Sequence, residues 1–258
     1  MTVFHADLDN TLIYSCRHEI GREKTNVELY EGRQVSFMTE ASSRLLRKVR
    51  EKAVFVPVTT RTREQYDRID LKTGVPDYAL VCNGGVLLKQ DEEIPEWYEE
   101  SLRMIKGSRR EFRRAMDYMR EDRDRLFEVR NIRDLFLFTK SSCPLKSAEH
   151  MRERLDLSLV NIFTNGTKVY VLPKGLDKGT AVRRFREYIK ADRVIAAGDS
   201  VFDVPMLREA DLAYAPERLK AEALPEGHVK GVPESELFSD VLLRGVLAAL
   251  SDCEKRMI

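Results

Sequence analysis

Two acidic residues near the start of this chain are spaced so that they could share a cation or carry acid–base chemistry. Asp7 and Asp9 lie two positions apart, directly after a short apolar run at residues 3–6. Side chains at positions i and i+2 of an extended segment point to the same side, so we expect both carboxylates to face one pocket. Like charges this close either raise a pKa or require a cation. The pair therefore predicts an acid–base site, a metal site, or both.

Further polar residues follow later apolar runs or open a helix. Carboxylate oxygens are the ligands that Mg²⁺ prefers. A hydroxyl and a lysine at a helix N-terminus suit the oxygens of a phosphoryl group. Together with the first pair, these residues predict a Mg²⁺-dependent site for phosphoryl transfer. They are Thr59, Lys178, Asp199 and Asp203.

The elements that must position these residues alternate between strands and helices. Such alternation implies a mostly parallel sheet, and ligands of such sheets bind beyond the carboxyl ends of the strands. The predicted strands are residues 3–6, 53–58, 78–82, 194–198 and 211–215, with a small hairpin at 27–36 that turns at Glu31-Gly32. The predicted helices are residues 36–52, 62–70, 177–190 and 235–251.

The middle of the chain has a different pattern. It begins with a long charged helical stretch and ends with a hairpin that turns at Asn165-Gly166, a strong hairpin signal. The predicted elements there are a helix at 96–125, one or two strands at 126–140, a helix at 145–157 and the hairpin at 159–173. We therefore predict a Rossmann-like α/β core with a parallel sheet, residues 1–85 and 174–258, interrupted by an inserted α/β module, residues 86–173.

Four short motifs of this sequence resemble those of the haloacid dehalogenase (HAD) superfamily, in the family's order. The insertion between the second and third is similar to a C2-type cap of the Cof-type (IIB) branch, and residues 57–63, PVTTRTR, resemble the second motif of its mannosyl-3-phosphoglycerate phosphatases. The four are Asp7-Leu8-Asp9-Asn10-Thr11-Leu12, Thr59, Lys178-Gly179 and Gly198-Asp199-Ser200-x-x-Asp203.

The resemblance implies a role for each matching residue. Asp7 is the expected nucleophile, which forms an aspartyl-phosphate, and Asp9 is the expected general acid and base. Thr59 and Lys178 are expected to bind the phosphoryl oxygens. Mg²⁺ is expected to be held by Asp7, the backbone carbonyl of Asp9 and Asp199, with Asp203 in support. Phe202 departs from the family, which often has Asn there, so a polar contact near the phosphate is lost.

Several candidates also have plainer explanations. Arg61 and Asn83 are candidate substrate contacts, but Arg61 could belong to a solvated helix start and Asn83 to a simple turn into the cap. Thr59 and Asp203 could be helix caps. Alternation on the first strand turns His5 away from Asp7, so we expect a core histidine with satisfied hydrogen bonds.

Composition excludes some classes of function. The net charge of +1 over 258 residues argues against a nucleic-acid-binding protein, and no apolar run could span a membrane. The cysteines are too scattered for a zinc site or a disulfide framework, so we expect a reduced, cytoplasmic protein with all four buried as small apolar residues. They are Cys16, Cys82, Cys143 and Cys253.

These observations lead to one expected function and two alternatives. We expect a Mg²⁺-dependent phosphomonoesterase that acts on a small phosphorylated metabolite, most simply a sugar phosphate. A phosphomutase or phosphotransferase would share the aspartyl-phosphate and pass it to a sugar hydroxyl. A non-catalytic binding or regulatory protein could also have kept the fold.

Overall fold

The computed structural model describes the backbone of residues 1–224 and 227–256, and their side chains through Asp252. The strands are β1 (Thr2–Ala6), β2 (Tyr14–Ser15), β3 (Lys24–Tyr30), β4 (Arg33–Thr39), β5 (Val54–Pro57), β6 (Tyr78–Val81), β7 (Val86–Lys89), β8 (Glu92–Glu93), β9 (Arg130–Ile132), β10 (Phe136–Lys140), β11 (Val160–Asn165), β12 (Lys168–Pro173), β13 (Arg193–Ala197), β14 (Leu212–Pro216) and β15 (Val229–Val232). The helices are α1 (Glu40–Arg50), α2 (Arg63–Tyr66), α3 (Pro95–Met104), α4 (Arg109–Glu121), α5 (Pro144–Arg152), α6 (Lys178–Ile189), α7 (Val204–Glu209), α8 (Glu217–Ala223) and α9 (Phe238–Arg256).

Contacts divide the chain into two compact units. The first comprises Met1–Glu93 and Lys178–Ile258, and the second comprises Ile94–Asp177. The predicted boundaries lay after residues 85 and 173. Residues 86–93 instead stay with the first unit, because β7 pairs with β6 and β8 pairs with β7 in an antiparallel sheet. The prediction had assigned these residues to the insertion, because strands of four and two residues are too short to show a clear periodicity.

The first unit is built on a five-stranded parallel sheet in the order β15-β14-β13-β1-β5. β1, β5, β13 and β14 are mostly apolar and almost wholly buried, as strands covered on both faces should be, whereas β15 at one edge of the sheet exposes Lys230. β1 pairs with β13 on one side and with β5 on the other, so the carboxyl ends of these three strands are neighbours. The predicted α/β fold with a parallel-sheet core is confirmed.

A hairpin and a short helix in the first unit differ in extent from the prediction. β3 and β4 form the predicted hairpin, and its turn at Glu31-Gly32 has two positive φ angles, 51° and 74°. The strands are longer than predicted, so α1 begins only after Thr39, whose side chain accepts a hydrogen bond from the Ser42 N–H. Of the helix predicted at 62–70, only α2 is helical. A capping box between Thr62 and Gln65 marks its beginning.

The second unit contains an antiparallel sheet in the order β11-β12-β10-β9, with α3, α4 and α5. The hairpin predicted at Asn165-Gly166 joins β11 to β12. The predicted helix at 96–125 is wrong as a single element, because a 3₁₀ turn at Lys106–Ser108 separates α3 from α4. Gly107 is a weak helix former, and the break lets the buried Ser108 hydroxyl donate to the Leu159 carbonyl at 2.9 Å.

Some predictions about single residues are wrong. Cys82 is buried, but Cys16 and Cys143 are exposed because they lie in surface turns; the Cys253 side chain lies outside those described. His5 is a core residue, packed edge-on against Phe185 with ring centroids 5.5 Å apart. However, neither of its ring nitrogens has a hydrogen-bond partner among the described residues. Burial lowers the pKa of the imidazole to about 3, so the ring stays neutral.

Across residues 1–224 and 227–256, none of the helices has both the length and the apolar character required to cross a membrane.

Candidate active site

The three neighbouring strands β13, β1 and β5 are each followed by a residue of the predicted site. Asp7 follows β1, Thr59 lies two positions after β5, and Asp199 lies two positions after β13. The Asp7 N–H donates to the Ala197 carbonyl at 2.9 Å, and the Val58 N–H donates to the Ala6 carbonyl at 2.8 Å. These bonds continue the parallel pairing to the edge of the sheet. The sheet therefore brings together side chains that are up to 192 residues apart.

A buried lysine joins two of the carboxylates. The Lys178 ammonium donates to Asp7 Oδ1 and to Asp203 Oδ1, both at 2.5 Å. The lysine is 1% exposed and the Asp203 side chain is fully buried. Lys178 is the first residue of α6, where a helix disfavours a cation, so the two carboxylates compensate both the desolvation and the helix end.

The helix that carries Lys178 approaches α7 closely, and this requires a glycine. A Cβ on Gly179 would lie 2.6 Å from the Pro205 carbonyl oxygen. Because backbone cannot yield as a flexible side chain can, only glycine fits here. The Lys178-Gly179 pair thus has a physical reason. Gly179 allows α6 to lie close to α7, and this close packing buries Lys178.

Asp203 organises the loop after β13. Its Oδ2 accepts hydrogen bonds from the Asp199 N–H at 3.1 Å and from the N–H and hydroxyl of Ser200 at 3.0 and 2.8 Å. Asp203 occupies the N-cap position of α7, but its side chain makes no capping hydrogen bond. The alternative that it serves as a helix cap is therefore wrong, because both of its oxygens are used by the loop and by Lys178.

The three carboxylates form a compact cluster. Asp7, Asp199 and Asp203 each offer an oxygen within 4.8 Å of the other two. Asp199 Oδ1 also accepts a hydrogen bond from the Thr11 hydroxyl at 3.0 Å. Thr11 belongs to the first motif, so the beginning of the chain is joined to the loop after β13 by side chains as well as by the sheet.

Burial and crowding raise the pKa values of this cluster. Burial raises the pKa of the Asp7 carboxyl well above its ordinary value, Lys178 opposes the rise, and Asp203 and Asp199 add to it. Burial and the charge of Asp203 raise the pKa of Asp199 to about 7, although the Thr11 hydroxyl opposes this. Burial alone would lower the pKa of Lys178, but Asp203 and Asp7 more than offset it, so the amine is charged.

The donor set fits a divalent cation. With all three carboxylates ionised, Lys178 alone would leave two excess negative charges in a buried site. Burial, and after it the neighbouring like charges, raise the pKa values of Asp7 and Asp199 for this reason. One divalent ion supplies the missing charge, and carboxylate oxygens are the ligands of Mg²⁺. The fit rests on the chemistry of these side chains.

The side chain of Asp9 is not part of the cluster of Asp7, Asp199 and Asp203. After Asp7 the chain leaves the extended conformation, because the N–H groups of Thr11, Leu12 and Ile13 all converge on the Leu8 carbonyl. The Asp9 carboxylate instead makes a double hydrogen bond with Arg61, at 2.7 and 2.8 Å. The charge of Asp9 nevertheless helps to raise the pKa values of Asp7 and Asp199. The expectation that the i, i+2 spacing directs both side chains to one pocket stays a prediction. A metal contact through the Asp9 backbone carbonyl stays a prediction.

Arg61 is committed to protein acceptors. It also donates to both oxygens of Glu28, at 2.9 and 3.0 Å, and to the Gln65 carbonyl at 3.4 Å. All of its N–H groups are thereby directed at the protein, which argues against the predicted substrate contact and against the alternative of a solvated helix start. Only 13% of the side chain is exposed.

Thr59 and Asn83 lie side by side at the edge of the sheet. The Thr59 side chain is fully buried, and its hydroxyl accepts a hydrogen bond from the Arg61 N–H at 3.1 Å. The Asn83 N–H donates to the Thr59 carbonyl at 2.9 Å. Cys82, Asn83 and Gly84 all have positive φ angles, 52°, 59° and 86°. The turn predicted here is present, while phosphate contact by Thr59 and substrate contact by Asn83 stay predictions.

Other residues around the site were not found from the sequence. Glu28 is 4% exposed and lies against Arg61, although it belongs to the β3–β4 hairpin and to no motif. Its partner is 33 residues away, and no local spacing could have indicated the contact. Phe202, in the position where an asparagine was expected, is a buried side chain at 9% exposure.

Comparisons with known proteins identify the family of this chain. The family model of haloacid dehalogenase-like hydrolases matches residues 93–224, about half of the chain. The chain is 28% identical over 179 residues to a phosphoglycolate phosphatase of Methanopyrus kandleri, covering 67% of this chain and 74% of the relative. It is 24% identical over 204 residues to a glucosyl-3-phosphoglycerate/mannosyl-3-phosphoglycerate phosphatase of Persephonella marina, covering 65% and 74%.

The fold has a similar counterpart among solved structures. The sucrose-phosphatase of Synechocystis, solved with sucrose and phosphate, superposes with a TM-score of 0.66 at 14% identity, covering 96% of this chain and 97% of that chain. The family match covers the second unit and the elements from α6 to α8, and the family to which the sequence motifs point is confirmed. This chain belongs to the haloacid dehalogenase-like hydrolases.

Proposed function

We propose that this protein is a Mg²⁺-dependent phosphomonoesterase that hydrolyses a small phosphorylated metabolite through an aspartyl-phosphate on Asp7. The observation that carries the proposal is the placement of Asp7. It lies at the carboxyl end of β1, buried, with its Oδ1 bound by Lys178 and with the carboxylates of Asp199 and Asp203 beside it. Membership of a hydrolase family and the two phosphatase relatives support it.

Each residue of the site has its own role in the proposed reaction. A carboxylate oxygen of Asp7 attacks phosphorus, and the leaving oxygen departs with a proton from Asp9. Asp9 then removes a proton from water, which attacks the aspartyl-phosphate and releases phosphate. The Lys178 ammonium and the Thr59 hydroxyl bind the phosphoryl oxygens, and donors placed where charge develops are the largest single contribution in many enzymes. Asp203 keeps Lys178 charged and in place.

Asp7, Asp199 and Asp203 are the side chains that would hold Mg²⁺. When bound, the ion would neutralise the excess negative charge of the cluster and of the substrate's phosphoryl oxygens. Asp7 would then stay ionised and keep a lone pair for attack on phosphorus.

The substrate class follows from the relatives. The two curated relatives are phosphatases of phosphoglycolate and of glycosyl-3-phosphoglycerates, and the solved structure is a sucrose-phosphatase. All three names describe small phosphate esters of hydroxy acids or sugars. We infer a substrate of this kind. The role of the second unit as a cap that selects the substrate stays a prediction.

The test is hydrolysis of p-nitrophenyl phosphate by the full chain in Mg²⁺, in EDTA, and by Asp7→Asn. We expect turnover in Mg²⁺, loss of turnover in EDTA with recovery when Mg²⁺ is restored, and loss in the variant. Activity that survives both changes refutes the mechanism. No turnover across a wide panel of phosphate esters would favour the non-catalytic alternative. Transfer of phosphate to a sugar hydroxyl, detected by product analysis, would favour the phosphotransferase.

A further inference from the structure

The buried Glu28 and the largely buried Arg61 form a chain of charged groups that ends on the half-exposed Asp9. One edge of the Arg61 guanidinium, Nε and Nη2, holds both oxygens of Asp9, while Nη1 and Nη2 hold both oxygens of Glu28. A planar guanidinium binds carboxylates in pairs of parallel hydrogen bonds, which fixes orientation as well as distance. The position of the Asp9 carboxylate is therefore set by Arg61, and the plane of Arg61 is set by Glu28.

Glu28 is itself tightly fixed. Its side chain is 4% exposed, its Oε2 accepts a hydrogen bond from the Ser36 hydroxyl at 2.6 Å, and its Oε1 lies 3.3 Å from Arg68 Nη2. A buried glutamate surrounded in this way cannot rotate without losing several charge-assisted bonds at once. Glu28 thus offers Arg61 a rigid support.

The backbone explains how a hairpin residue reaches the site. The register of β3 against β4 shifts on both sides of Glu28, and the Asn26 amide donates to the carbonyls of Glu28 and Ser36, both at 2.9 Å. Bulges of this kind redirect side chains and are over-represented next to active sites. Without the irregularity, residue 28 would follow the regular alternation of the strand.

We propose that Glu28 and Arg61 are positioning residues for the general acid and base Asp9. This inference rests on the proposed function. It replaces the expected substrate contact of Arg61 with a contact to the protein's own acid–base group. Neither residue belongs to the cluster of Asp7, Asp199 and Asp203, and their side chains act through the orientation of Asp9.

The experiment separates this role from a merely structural one by changing only the leaving group. Phenyl phosphate and p-nitrophenyl phosphate differ by one nitro group, and phenoxide, the more basic leaving group, depends more on protonation by Asp9. For a two-step reaction, kcat/KM reports the steps up to departure of the leaving group. The kcat/KM ratio of the two esters therefore measures how well Asp9 delivers its proton.

We expect Glu28→Gln to lower kcat/KM for phenyl phosphate about tenfold more than for p-nitrophenyl phosphate, since general acid catalysis contributes on the order of a hundredfold or more in all. Arg61→Lys, which keeps the charge but loses the paired bonds, should do the same and carries the test if Glu28→Gln fails to fold. Glu111→Gln is the matched control, because Glu111 is equally buried at 4% and also pairs with an arginine, Arg114, in the second unit. It should leave the ratio unchanged.

An equal loss for both esters, or no loss, in the folded Glu28→Gln and Arg61→Lys variants would overturn the inference while leaving the proposed function intact. Failure of the proposed function looks different. In that case the unaltered protein hydrolyses neither ester, or Asp7→Asn remains active.

Discussion

The backbone of Gly198 lies directly against the side chain of Asp203. A Cβ added at Gly198 would overlap both Cβ and Cγ of Asp203, well inside van der Waals contact. Asp203 in turn receives Lys178 and the N–H groups of Asp199 and Ser200. Because Gly198 has no side chain, there is room for the Asp203 carboxylate, which joins Lys178 to the loop after β13.

Gly198→Ala should displace Asp203 and disable the site. Overpacking of a close contact costs about 1–3 kcal/mol, and the displaced carboxylate should release Lys178, so we expect hydrolysis of p-nitrophenyl phosphate to fall about a hundredfold. Gly107→Ala is the control, because nothing lies within 4 Å of a Cβ there. Thermal unfolding and kcat measure the two effects. An active, fully stable Gly198→Ala protein would show that the contact is unimportant.

Lys178→Met should cost both stability and activity. It leaves the buried carboxylates of Asp7 and Asp203 without their cation, and removal of one partner from a buried charged group costs about 3–5 kcal/mol. Urea unfolding in EDTA measures this loss. Lys190→Met, an exposed lysine just after the other end of α6, should change little. If the two variants unfold at the same urea concentration, the ammonium does not compensate the carboxylates.

The sequence predicted the residues of the site better than it predicted their contacts. Asp7, Asp199, Asp203 and Lys178 were found because each follows a strand or opens a helix, and parallel strands bring such ends together whatever their separation in the chain. The pairing of the Asp9 carboxylate with Arg61 was not predicted, because the two residues are 52 positions apart and no local spacing indicates the contact.

The elements of the fold were likewise predicted where the signal is local and missed where it is not. The buried strands of the main sheet and the Asn165-Gly166 hairpin were predicted, because apolar runs and turn residues are local signals. The break between α3 and α4 and the strands β7, β8 and β15 were not. A helix can continue or stop at Gly107 with a small difference in free energy, and the Ser108–Leu159 contact that favours the stop is formed only in the folded unit.

Mg²⁺ should stabilise the protein through the acidic cluster. An ion that binds only the folded chain adds about 2.7 kcal/mol at a hundredfold excess over its Kd, so the unfolding temperature should rise with Mg²⁺ concentration and return in EDTA. Asp199→Asn removes one of the three carboxylates and should reduce the shift. Asp192→Asn, which removes an exposed charge paired with the N-terminus, should not. Equal shifts in both variants would place the ion elsewhere.

Glu111 should make the stability of the second unit dependent on pH. Burial alone would raise the pKa of its carboxyl, but the Asp156 N–H and the Arg114 guanidinium hold the pKa below the ordinary value of 4.5. Between the two values the unfolded chain binds more protons than the folded chain, so stability rises with pH there. The contribution is complete above pH 4.5 and is lost as the pH falls through the lowered pKa.

Glu111→Gln tests this dependence, because glutamine keeps the shape but has no proton to gain. It should cost about 1–2 kcal/mol at neutral pH, where the hydrogen bonds to a charged acceptor are lost, and the cost should shrink as the pH is lowered below 4.5. Urea unfolding of the variant and the unaltered protein across this range gives the difference directly. Glu149→Gln, an exposed glutamate paired with Arg152 in the same unit, should show almost no cost at any pH. A Glu111→Gln cost that stays constant with pH would mean that the carboxylate charge contributes nothing and that only packing is lost.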